Sequence, residues 1–131
     1  MNLIEEIADK SSEASLYEML AEEAAELSAA ANKYARFLRG EQPVKEGLTK
    51  EILLEHVIEE YADVDVSMTV AAAKTEDEFE APFVWNKVNH MTMKKIERWR
   101  DRFEWREFCK WVEGQLDEKT EDDSLWNLGG F

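Results

Sequence analysis

Apolar residues recur at intervals of three and four along most of the chain, a spacing that predicts helices and leaves no competing strand pattern. Leu16, Leu20, Leu27, Tyr34 and Leu38 define one face of a first long helix, with Met19 and Phe37 at its border. Ser12 or Ser15 can cap it. Ser15-Leu16-Tyr17-Glu18 fits a capping box, and Gly40 behind Phe37-Leu38-Arg39 is a C-terminal stop. Residues 41–48 read as a loop, and Thr49 caps a second helix running to about Lys74. Its apolar face is Leu53, Val57, Tyr61, Val64 and Met68. An acidic turn at 75–82 ends with Pro82, and a third long helix spans about 84–117. Met1–Lys10 reads as a short extra helix.

The expected architecture is therefore all-α: a bundle of three long helices plus a short N-terminal helix. The chain of 131 residues reads as a single domain, with a core of about 12–117 and an acidic tail over 118–131. Three helices this long leave apolar faces partly uncovered, so completion by oligomerisation is expected, as a homodimer or homotetramer. Hydrophobic residues at 44% and charged residues at 35% suit a globular chain. No apolar run is long enough to cross a bilayer. Met1–Lys10 lacks the basic and apolar regions of a signal peptide, and Cys109 stands alone, so a cytoplasmic location is expected.

A net charge of −14 disfavours nucleic acid as a partner. The charge is segregated: residues 85–111 carry eight basic and four acidic residues, net +4, which leaves −18 elsewhere. A basic helix on an acidic protein suits a small anion held through bridging cations.

The acids that matter interrupt apolar faces. On the first helix Glu23 falls among Leu16, Leu20 and Leu27, and Glu26 lies at the edge one turn on. On the second, Glu60 borders Leu53 and Val64, with Asp63 further round the same flank. Carboxylates on facing apolar surfaces require a compensating cation or take up a proton. Oxygen ligands without His or Cys favour Mg²⁺, with Mn²⁺ as the alternative.

Glu22-Glu23-Ala24-Ala25-Glu26-Leu27 and Glu59-Glu60-Tyr61-Ala62-Asp63-Val64 resemble the paired EExxE and ExxD motifs of MazG-like proteins, the all-α nucleoside triphosphate pyrophosphohydrolases. Lys95-Ile96-Glu97-Arg98 followed by Arg102 is similar to the basic pattern on the C-terminal helix of many small members. The resemblance covers roughly residues 12–103. It implies a helical dimer or tetramer that uses Mg²⁺ to cleave between the α- and β-phosphates, giving a nucleoside monophosphate and pyrophosphate. It also implies Glu23, Glu26, Glu60 and Asp63 as metal ligands, with Glu23 and Glu26 catalytic and Glu22 holding a water or a second metal. Two departures stand out. Thirty-three residues separate Glu26 from Glu60, more than in compact members, and Tyr61 replaces a smaller aliphatic residue.

Lys95, Arg98 and Arg102 share a narrow arc of the third helix and are the expected substrate-phosphate contacts; the same arc could instead be a solvated face paired with Glu97 and Asp101. Ile96, Trp99 and Phe103 form a separate arc expected to pack into the core. His56 and His90 read as surface or hydrogen-bonded residues. Neither has a Glu three residues before it, unlike the Glu-x-x-His motifs of di-iron bundles. A non-catalytic helical interaction module and phosphoribosyl-ATP pyrophosphohydrolase activity are the remaining alternatives.

Overall fold

The computed structural model describes residues 2–41, 47–80 and 82–116. The expected tail over 118–131 and most of the 41–48 loop lie outside them. The described residues are all-helical: α1 Leu3–Asp9, α2 Glu13–Leu38, α3 Lys50–Glu76 and α4 Phe83–Leu116. They divide into two units, Met1–Val84 and Trp85–Phe131.

Local chemistry sets the helix ends of the first unit. Asn2 and Glu5 form a reciprocal capping box on α1, each side chain accepting from the other's backbone N–H. Ser12, rather than Ser15, caps α2: its Oγ accepts from the Ser15 N–H at 3.1 Å. Ser15 already sits in the first turn, where its hydroxyl donates back to the Ser12 carbonyl. Gly40, with φ of +67°, ends α2. The N–H groups of Gly40 and Glu41 return to the carbonyls of Phe37 and Arg36, a paired closure that requires the left-handed backbone glycine adopts freely. Thr49 caps α3 through Ile52 N–H. Glu76, at the end of α3, accepts from the Val84 N–H in the first turn of α4. Phe79 and Phe83 stack there with ring centroids 4.3 Å apart.

Helices α2 and α3 run antiparallel, since residues early in α2 meet residues late in α3. A hydrogen-bond chain ties them at one end. Thr75 Oγ1 donates to Glu13 Oε1 at 2.8 Å, so the Tyr17 hydroxyl, 2.6 Å from Thr75 Oγ1, is the donor to that oxygen. The main apolar cluster joins α1, α2 and α3 at the same end: Ala8, Leu16, Val70 and Ala71, with Ala73 against it. Small residues dominate the burial. Ala71 and Ala72 are fully enclosed, and Ala30 and Ser67 are buried as well. Short side chains let two helix backbones approach closely, which also draws together the longer side chains further along.

The larger apolar residues depart from expectation in places. Leu16 and Leu53 are buried, but Tyr61 and Leu38 are more than half exposed. The buried side of α3 runs through Leu53, Ser67, Val70 and Ala71, rotated away from Tyr61.

In the second unit the described residues form one helix, the part of α4 from Trp85 onward. Its residues Ile96, Trp99 and Phe103, expected to pack into the core, are each more than half exposed. A unit of one described helix has no second element of its own to cover them. Beyond Phe103 the aromatic residues move to another flank, where Trp105, Phe108 and Trp111 neighbour one another at 5.8 and 6.2 Å.

Candidate metal centre

The interruptions in the apolar faces of α2 and α3 come together in space. One carboxylate oxygen each from Glu23, Glu26 and Glu60 lies within 4.8 Å of the others. Two of the three come from successive turns of α2 and the third from α3, so the antiparallel pairing brings them together. Glu23 and Glu60 are half-buried, and Glu26 is exposed at the rim.

Electrostatics make this cluster costly when it is left bare. Oε2 of Glu23 and Oε2 of Glu60 are both shielded from solvent and have no hydrogen-bond partner. Polar atoms in that condition are rare, and each calls for an unseen partner. The Glu23 carboxyl is pushed above the ordinary glutamate value of 4.5. Loss of hydration is the largest cause, followed by the charges of Glu26, Asp63 and Glu60, and then a carboxyl hydrogen bond with Glu26. A hard divalent cation would meet every one of these conditions: it takes oxygen ligands, offsets the mutual repulsion and satisfies the orphaned oxygens. The residues present fit such an ion.

Asp63 stands one turn beyond Glu60 and is exposed. It lies outside the tight group of three, yet its charge contributes to the rise at Glu23. Glu22 is also exposed, on the solvent side of Glu23. Lys95, Arg98 and Arg102 are exposed on successive turns of α4, in the second unit, whereas the acids belong to the first. Lys95 borders a surface depression with Thr92, Ile96 and Trp99. Of the two acids that could pair with this basic arc, Asp101 bonds Arg100 at 3.3 Å.

One neighbour of the centre did not stand out in the sequence. His56 Nε2 is 3.1 Å from Glu60 Oε1, one turn earlier on α3. A surface or hydrogen-bonded histidine is the expectation from sequence, and the structure adds its partner, Glu60. The available signal was the i, i+4 spacing of His56 and Glu60, which places the two on one helix face.

No family model, no curated protein and no solved structure matches this chain.

Proposed function

We propose that this chain is a Mg²⁺-dependent nucleoside triphosphate pyrophosphohydrolase of the MazG-like kind, cleaving between the α- and β-phosphates. The observation that carries the reading is the convergence of Glu23, Glu26 and Glu60 with two buried, unpartnered oxygens. The shielded Oε2 atoms of Glu23 and Glu60 and the charge crowding that raises Glu23 are what a bound cation would relieve.

Glu23, Glu26, Glu60 and Asp63 would hold the ion, which would there offset the charge of the triphosphate and polarise the phosphorus under attack. The protein's own groups supply the rest. Glu23 or Glu26 takes the proton of the attacking water. Lys95, Arg98 and Arg102, a row of cations on successive turns of α4, are suited to phosphate oxygens. The protein works as a homodimer or homotetramer in a reducing, cytoplasmic compartment. The exposed apolar surface on α4 and the solitary Cys109 support those two statements.

The test is pyrophosphate release from a panel of ribo- and deoxyribonucleoside triphosphates and phosphoribosyl-ATP, with Mg²⁺ and with chelator, for wild type and Glu60→Gln. Metal-dependent release that vanishes in the folded variant is the expected result. A protein that binds metal but releases nothing from any of these substrates is instead a non-catalytic helical module. Mass measurement at micromolar concentration on the same preparation should give a dimer or tetramer; a monomer would remove the oligomeric part of the reading.

A further inference from the structure

We infer that His56 is a positioning residue for Glu60, fixing which of its two carboxylate oxygens is offered to the cation. The inference rests on the metal-site reading above and extends it to a residue outside the acidic motifs.

The geometry is specific at the level of atoms. His56 Nε2 lies 3.1 Å from Oε1 of Glu60. The other oxygen, Oε2, is shielded from solvent and has no hydrogen-bond partner. One oxygen of the carboxylate is therefore engaged and the other is left free. An ionised carboxylate only accepts hydrogen bonds, so Nε2 carries the proton and donates. The Glu60 side chain is 14% exposed and the His56 side chain 48%. The acid is thus the more enclosed of the two, and the imidazole reaches it from a more exposed position.

The chemistry explains why such a partner matters. A glutamate side chain has three rotatable bonds, and repulsion from Glu23 and Glu26 works against its placement until a cation offsets it. Glu60 is the one member of the tight group contributed by α3, so it has no acid partner on its own helix within the group to share its placement. A hydrogen bond from the preceding turn of the same rigid helix holds its carboxylate without drawing on α2. Partners of this type orient metal ligands, and their loss weakens metal affinity by about 10- to 100-fold.

Mn²⁺ serves as the probe, its free concentration read by electron paramagnetic resonance at one fixed pH. The proteins are wild type, His56→Ala, His56→Gln and Glu60→Gln, all as the full chain. The expected result is Mn²⁺ affinity weakened about 10- to 100-fold in His56→Ala and largely restored in His56→Gln, whose amide keeps an N–H donor. Glu60→Gln should lose binding outright. Metal-free melting of the two His56 variants should stay close to each other, since a purely structural role would move melting and affinity together. In the pyrophosphate assay, saturating metal should return kcat of His56→Ala toward wild type. Unchanged Mn²⁺ affinity in His56→Ala alongside lost binding in Glu60→Gln would overturn the role of His56 and leave the metal site standing. Equal weakening in the Ala and Gln variants would overturn the donor assignment. Wild type that binds no Mn²⁺ would overturn both this inference and the reading beneath it.

Discussion

Replacing Glu60 by Gln should stabilise the metal-free protein and abolish its response to Mg²⁺. The two effects have one source. Glu60 places a second shielded, unpartnered oxygen among carboxylates already crowded within 4.8 Å. Glutamine has the same shape, removes the charge and brings an amide N–H₂ that can donate to the acids of α2. One net hydrogen bond contributes about 1 kcal/mol. Unfolding entropy of about 2.1 cal/mol/K per residue amounts to roughly 0.28 kcal/mol/K over 131 residues, so the metal-free variant should melt about 4 °C higher.

Cation binding acts in the opposite direction on wild type alone. A ligand at 100 times its Kd stabilises the native state by about 2.7 kcal/mol. That converts to a rise of about 10 °C if the chain melts as one transition, and about 15 °C if residues 1–84 melt by themselves. Thermal melts in chelator and over a Mg²⁺ titration measure both quantities. The order of stability should invert: Glu60→Gln above wild type without metal, wild type above Glu60→Gln at saturation. A metal-free variant that melts below wild type would refute the claim that the bare cluster is strained. A variant that keeps the full Mg²⁺ shift would show that Glu60 is not a ligand.

Two further predictions concern the same pair of helices. Thr75→Val removes the hydroxyl that joins Tyr17 to Glu13, and at about 1 kcal/mol for each of two hydrogen bonds it should cost about 1–2 kcal/mol in urea unfolding; Tyr17→Phe should cost about half as much, and no change in either would mean that the chain of hydroxyls is idle. In chelator, stability should fall as pH rises from 4.5 through the raised value of Glu23, because the native state there holds a proton that the unfolded chain releases. Glu23→Gln should flatten that slope in melts across the same range, and an unchanged slope would place its cause elsewhere.

What was legible in the sequence follows from the range of the interactions involved. Helix ends depend on groups three or four residues apart, so the caps at Thr49 and Gly40 stand out in the order of residues. The choice between Ser12 and Ser15 turned on backbone shape, since Ser12 is extended and Ser15 already helical. The acidic motifs were legible because Glu23 and Glu60 sit where a leucine would be expected. The buried face of α3 was less so. Large apolar residues suggested Tyr61, while burial follows Ser67, Ala71 and Ala72, whose small size lets α2 approach. Counting hydrophobic bulk gives such residues little weight, although they set the closest contact. His56 was obscured by direction: the Glu-x-x-His pattern places the acid before the histidine, and here the acid follows it by four.

These features share one cause. Along α2, the positions flanking Glu23 are leucines, and another leucine there would add apolar burial and remove the repulsion that raises Glu23. On α3, the same holds for Glu60, whose neighbour Leu53 is buried. The fold therefore gives up stability at two facing positions, and it does so where the antiparallel register makes the losses meet. A divalent cation that binds only when both acids are present would recover what each gives up alone. Stability surrendered at a functional site is recovered on binding, and the inversion between wild type and Glu60→Gln measures both halves of that exchange in one experiment.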